Sequence, residues 1–205
     1  MTLSRRGVLA ATTTILAVSA FAPANCHAQS LQPGAPNAAA GNATATAPVQ
    51  ISPYVGQERR TLKSLSDQEI ADILAGRGVG LARPGELNHY PGPLHVLQFK
   101  QQIGLTPDQT LKIEAIFNRM SRDAKALGKE WIDRECALEA DFAGYAITAE
   151  QVSAETAAIG EVQGRLRAVH LDAHIATRAV LTPGQIAMYD VLRGYRAIAA
   201  PGRRL

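Results

Sequence analysis

His170 and His174 stand four apart in a segment that reads as helix, so both imidazoles project from one face about one turn apart, a spacing that suits a divalent transition metal. They flank an apolar seam rather than occupy it, which leaves them open to solvent, and a polar rim is the plainer reading of such a pair. Two ligands do not make a tight site. If the segment is the second arm of a hairpin that turns near Tyr145, His170 faces Ser121 and His174 faces Phe117, and Met120 and Asp123 are the nearest further donors. Met120 also lies on the seam, where a methionine ordinarily fills core. His89 and His95, flanking Tyr90-Pro91-Gly92-Pro93-Leu94, can arrive from the loop before a short helix. The candidate metal ligands are therefore His170, His174, His89, His95 and Met120.

Patterns for catalysis are lacking. There is no Gly-x-Ser-x-Gly elbow and no His-Glu-x-x-His helix, and Leu171-Asp172-Ala173 puts no glutamate base between the paired histidines. Gly76-Arg77-Gly78-Val79-Gly80 follows no strand, so it reads as a helix stop and turn rather than a phosphate cradle. The chain is expected not to be an enzyme, with no catalytic residue and no required cofactor. Glu135 stands out of place between Trp131 and Leu138 on a buried face. An unpaired carboxylate there is costly, so an ion pair with an arginine of the facing helix or of a second subunit is expected. Cys136 beside it reads as a small buried hydrophobe, with a thiolate ligand as the alternative.

The elements that must carry these residues are announced by one pattern that occurs four times: an apolar residue, Ser or Thr, two residues, then Glu or Gln. The copies are Leu65 to Glu69, Leu105 to Gln109, Ile147 to Gln151 and Leu181 to Gln185. In each, the hydroxyl can accept the N–H three residues on, and the Glu or Gln can accept the hydroxyl residue's own N–H. Pro107 and Pro183 fall at the first helical position, where no N–H is needed. The chain is therefore expected to be all-α. A first helix runs from Ser66 to about Ala75, a Gly- and Pro-rich loop extends through Pro93, and a second short helix covers about Leu94 to Ile103. The third and longest starts at Thr106 with a seam of Ile113, Ile116, Met120, Ala124, Leu127, Trp131, Leu138 and Phe142, spaced mostly by three and four. It breaks near Gly144, and Thr148 opens a partner with its own seam from Ile159 to Val180. So short a connection makes the two a long antiparallel hairpin. A last helix runs from Thr182 to about Ala199.

Residues 1–28 read as an export signal: Arg5 and Arg6 precede an apolar stretch too short to cross a bilayer core of about 30 Å, and Cys26-His27-Ala28 is a passable cleavage site. The string around Arg5-Arg6 is like a twin-arginine signal, with an ordinary secretory signal as the alternative. Cleavage after Ala28 leaves Cys136 as the sole thiol, and lipidation of Cys26 is the competing idea. Residues 29–52 hold too little apolar surface to offset ordering and read as a leader. Residues 53–200 form the single helical domain. Losing Arg5 and Arg6 nearly balances 21 Lys and Arg against 18 Asp and Glu, so nucleic acid is not implied. Arg193, Arg196, Arg203 and Arg204 read as a solvated tail. No transmembrane segment is expected in the mature chain.

An exported helical chain with two Leu-Thr-Pro-x-Gln boxes, Leu105 to Gln109 and Leu181 to Gln185, resembles the Spy/CpxP family of periplasmic LTxxQ proteins. In that family the first box opens the long central helix and the second opens the terminal one. The resemblance covers roughly Leu94 to Tyr195. It implies a non-enzymatic periplasmic homodimer of one of two kinds. One is an ATP-independent chaperone that holds unfolded or stressed envelope proteins; the other is a sensor or resistance protein for zinc, nickel or cobalt. The metal-binding kind has ligands four apart on its late helix, a role that falls here on His170 and His174. It also draws ligands from its N-terminal region, but through a pair spaced differently from His89 and His95.

Overall fold

All four capping boxes start a helix. The computed structural model describes residues 50–196; the export signal 1–28, nearly all of the leader 29–52, and Arg203 and Arg204 lie outside the described residues. In order come a 3-10 turn at Gln57–Arg59, then α1 (Asp67–Leu74), α2 (Arg83–Leu87), α3 (Pro93–Gln98), α4 (Lys100–Ile103), α5 (Pro107–Ala143), α6 (Ala149–Val180) and α7 (Pro183–Leu192). Ser66, Thr106, Thr148 and Thr182 each accept the N–H of Glu69, Gln109, Gln151 or Gln185, and each of these side chains accepts in return from its cap residue. No strand occurs among the described residues, and no helix there is long and apolar enough to cross a membrane.

α5 and α6 form the antiparallel hairpin, and the short helices lie along it. Two apolar cores are built on this frame. Toward the hairpin turn, Ile73 of α1 and Leu62 pack with Ala124, Trp131, Ile132 and Cys136 of α5 and with Ile159, Val162 and Leu166 of α6. Toward the open end, Val96 and Ile103 meet Ile113, Leu181 and Tyr189. The two proline boxes are fastened to one another at this end. The Gln109 and Gln185 amides each donate to the other's carbonyl oxygen at 2.9 Å, while Gln109 also donates to Val180 O and Gln185 to Gly104 O. The capping residues thus join the start of α5 to the start of α7 as well as satisfying their own helices.

The differences from expectation have local causes. Arg83–Leu87 is a helix inside the Gly- and Pro-rich segment, with Pro84 in its first turn. The second short helix divides at Phe99 into α3 and α4. α7 stops at Leu192, short of Ala199, because Gly194 takes a left-handed turn with φ 76°. Phe142 leaves the seam and is half exposed near the hairpin turn. Among the described residues Glu135 pairs with no arginine of this chain: the Trp131 indole N–H donates to its Oε1 at 2.9 Å and the Ser64 hydroxyl donates to its Oε2 at 2.8 Å. Cys136 is buried as a small hydrophobe, but in the full-length chain it is disulfide-bonded rather than a lone thiol.

α1 approaches α5 over Gly128, where an added Cβ would lie 2.6 Å from the Ile73 carbonyl oxygen. Gly128→Ala is expected to push α1 off the hairpin and lower stability in urea denaturation by about 1–3 kcal/mol, despite the better helix propensity of alanine. Gly160 and Gly164 of α6 meet nothing within 4 Å. Alanine at either is expected to raise stability by about 0.5–1 kcal/mol.

Candidate functional site

Between the two apolar cores the hairpin carries a layer of buried polar groups, His170, His174 and Thr177, and the segment from Gly76 to Pro93 folds down over it. The histidine pair is not the solvent-open rim expected from the sequence. His170 is 4% exposed and His174 8%. The covering loop reaches them through its glycines: a Cβ on Gly92 would sit 3.0 Å from His174 Cε1, and one on Gly78 would sit 3.4 Å from His170 Nδ1. The same glycines that read as a helix stop therefore let backbone lie directly on imidazole.

α2 is held in place by a buried carboxylate. Glu86 Oε1 accepts from the hydroxyls of Tyr189 at 2.6 Å and Tyr195 at 3.0 Å and from Arg193 Nε at 3.1 Å. Burial by itself would raise the Glu86 pKa, but the bonds from Tyr189, Tyr195 and Arg193 outweigh it and keep the carboxyl below its ordinary value. Burial and the Glu86 contact push the Tyr189 hydroxyl far up, so it remains a donor. Arg193 is accordingly no solvated tail residue. Arg196 is exposed, as expected, but its Nε also lies 3.2 Å from Oδ2 of the fully buried Asp190.

The loop, α2, α3 and the hairpin enclose an open-mouthed cavity of about 730 Å³. Four of the five candidate ligands line it: His95 from α3, Met120 from α5, and His170 and His174 from α6. Ser121 and Phe117, the residues expected across from the histidine pair, line it as well. His89 does not. It takes a left-handed conformation at φ 63°, its Nδ1 lies 2.9 Å from Asp190 Oδ2, and Arg178 donates to its carbonyl oxygen. Asp123 belongs to a smaller cavity of about 220 Å³ that also reaches Met120, and it is paired with Arg119 and Arg122.

The imidazoles are prepared differently. His174 Nδ1 is 2.7 Å from the Tyr90 carbonyl oxygen, which fixes the proton on Nδ1 and leaves the lone pair on Nε2. Glu86 Oε2 is 3.7 Å from the same nitrogen, an electrostatic contact beyond hydrogen-bond length. His170 Nε2 is buried without a hydrogen-bond partner. Burial, then the neighbouring His174, lowers the His170 pKa; burial, then Arg193, lowers that of His95. Both rings are thus neutral at neutral pH and able to offer a lone pair. Among the described residues, no three His, Cys, Asp or Glu side chains are gathered closely enough to hold a metal ion by themselves.

The sequence reading missed Glu86 and its three donors. The signal available was Arg83-Pro84-Gly85-Glu86, a proline in a first turn followed by an acid, inside a segment read only as loop. Comparison with protein-family models, with curated proteins and with solved structures finds no match to this chain.

Acid should loosen this region in two stages. His170 and His95 resist protonation when folded, so the unfolded chain binds more protons below its ordinary histidine pKa of about 6.5, and stability falls as pH drops through that value. Glu86 has the opposite origin and the same sign: its contribution is complete above the ordinary carboxylate pKa of about 4.3 and is lost as pH falls further. Melting temperature measured from pH 7.5 to 3.5 should decline first below about pH 6.5, and His170→Gln should flatten that upper arm. Glu86→Gln should cost about 1–3 kcal/mol at pH 7 and flatten the lower arm.

Proposed function

We propose that this chain is an exported, non-enzymatic binding protein of the LTxxQ type, acting in the periplasm as an ATP-independent chaperone for unfolded or stressed envelope proteins. The observation that carries the reading is where apolar surface is left over after packing. Val79, Leu87 and Leu94 are 40%, 56% and 41% exposed, and all three stand on the wall of the large cavity, with Pro93, Phe117 and Met120 also contributing to its lining. An extended segment of a client can lay one apolar side chain at the mouth and exchange it readily, because no interlocking partner surface is required. Support from the frame is the clasp between Gln109 and Gln185, which brings the two Leu-Thr-Pro-x-Gln boxes together at one end of the hairpin. A homodimer would double the number of such mouths available to one client.

A second reading, periplasmic sensing of or resistance to zinc, nickel or cobalt, is favoured by a separate observation. His170 Nε2 is buried and unpartnered, and His95 and Met120 share its cavity. These residues would hold the ion with His174, whose free Nε2 is set by the bond of Nδ1 to Tyr90. The histidines would then supply neutral nitrogen donors and the methionine a soft one.

Two measurements test the readings apart. For the chaperone, the mature protein should suppress aggregation of a denatured test protein without nucleotide. The Val79→Ser, Leu87→Ser, Leu94→Ser variant should need roughly ten- to hundredfold more protein for the same effect, from loss of about 0.5–1 kcal/mol per exposed apolar contact. Unchanged suppression by the folded variant would remove the mouth from the mechanism. For the metal, calorimetric titration with zinc, nickel and cobalt should give micromolar or tighter binding that disappears in the His170→Ala, His174→Ala double variant. Absence of binding by the wild-type protein would retire that reading.

A further inference from the structure

The geometry points to a small-molecule site: we propose that the cavity under α2 binds a small amphipathic acid, an aliphatic or aromatic carboxylate, with its apolar body among Phe117, Met120, Pro93 and Leu94 and its carboxylate toward Arg83 and His170. The inference goes beyond client holding, since it concerns a discrete soluble ligand and does not require the protein to be a chaperone.

Size is the first argument. A volume of about 730 Å³ falls inside the range of about 300–1,000 Å³ typical of sites for small organic ligands. An open cleft of this volume has room for a whole small molecule. The second argument is the wall. Its lining is mainly apolar with a few polar groups, which is the usual composition of such sites.

Charge then selects the ligand. The ionised side chains on the wall are Arg77, Arg83, Arg193 and Glu86. Arg193 is neutralised by Glu86 at 3.1 Å, and Arg77 by Asp72 at 2.6 Å. Arg83 forms no ion pair among the described residues, so the cavity keeps one uncompensated positive charge. A monoanion restores balance there, whereas a cation would add to the unpaired charge of Arg83. Glu86 Oε1 is already saturated by three donors; its Oε2 is buried without a hydrogen-bond partner, but the charge of the carboxylate is matched by Arg193.

The buried polar inventory supplies an independent observation. His170 lines the cavity, is more than nine-tenths buried, and leaves Nε2 without a partner. A buried polar nitrogen in that state costs free energy until something bonds to it. In the tautomer with the proton on Nε2, it donates to a carboxylate oxygen without bringing a second charge into the cavity. Arg83 then supplies the charge and His170 the direction.

The test uses the mature full chain and three probes of equal chain length: octanoate, octanol and octyltrimethylammonium. Isothermal calorimetry should give octanoate binding roughly tenfold or more tighter than octanol and no measurable binding of the ammonium. Arg83→Gln, at an exposed position, should bring octanoate down to the octanol level. Leu94→Glu, also exposed, should weaken octanoate by at least as much, through repulsion at the mouth. The nitrogen NMR signals of His170 should shift with octanoate and stay fixed with the ammonium. Equal binding of octanoate and octanol would overturn the assignment of a carboxylate. Octanoate binding indifferent to both substitutions, or none at all, would overturn the site.

Discussion

The carboxylate of Glu86 is the contact on which the arrangement turns. It reaches from a five-residue helix with little packing surface of its own to three donors at the C-terminal end of the described chain. Two tyrosine hydroxyls and a guanidinium on one oxygen make a charge-assisted cluster stronger than ordinary neutral hydrogen bonds. Without it, α2 would be tied to α6 by hydrogen bonds only through the Tyr90 and His89 carbonyls that follow it, bonded to His174 and Arg178. The cavity lies under the stretches on both sides of α2, which come nearest to the histidine pair at Gly78, beside His170, and at Gly92, beside His174. One ionised group therefore sets the roof of the site, although it performs no chemistry in it.

A hairpin of this length does not need a continuous apolar core, and this one lacks it. Trp131 and Leu166 serve the half toward the turn, Ile113 and Tyr189 the half toward the ends, and the positions between are given to polar side chains. Such a layer is tolerable only where each group finds a partner. His174 finds the Tyr90 carbonyl, and Asp190 is faced by His89 and Arg196. His170, which lines the cavity, leaves Nε2 without a partner, and Thr177 leaves its hydroxyl without one. Stability has been placed in the two flanking cores, and the polar layer is where the molecule can afford a site.

The helix starts were fully legible because each depends on four or five adjacent residues. Hydroxyl, amide and proline at fixed offsets carry their own geometry, and all four boxes formed as the spacing required. The hairpin register was legible for the same reason, and it placed Ser121 and Phe117 on the cavity wall shared with His170 and His174. What failed depended on residues distant in sequence. Glu86 to Tyr189 spans most of the described chain, and nothing local to Arg83-Pro84-Gly85-Glu86 marks its partners. Glu135 was expected to need an arginine, but a tryptophan four residues earlier and Ser64 satisfied it. The burial of the histidine pair was missed because glycine was read as punctuation, when here its absent side chain is what lets the loop descend.

Metal and organic ligand ask opposite things of that loop. A transition ion needs three or four donors within about 2–2.3 Å of one point, and the described His, Cys, Asp and Glu side chains offer no such group of three. Holding an ion would draw on His95 of α3, Met120 of α5 and the histidine pair of α6, which line one cavity. An amphipathic acid brings its own volume and needs the walls where they stand, with one cation and one directional donor among apolar side chains. A Cβ added at Gly92 would already crowd His174 at 3.0 Å, and one at Gly78 would reach His170 at 3.4 Å, so the space between loop and imidazoles is narrowest at Gly92. The position of α3 is in turn limited by Val96, which is fully buried in the second core. An ion would draw donors from three helices to one point, whereas a carboxylate would ask for one cation and one directional donor on walls left where they stand.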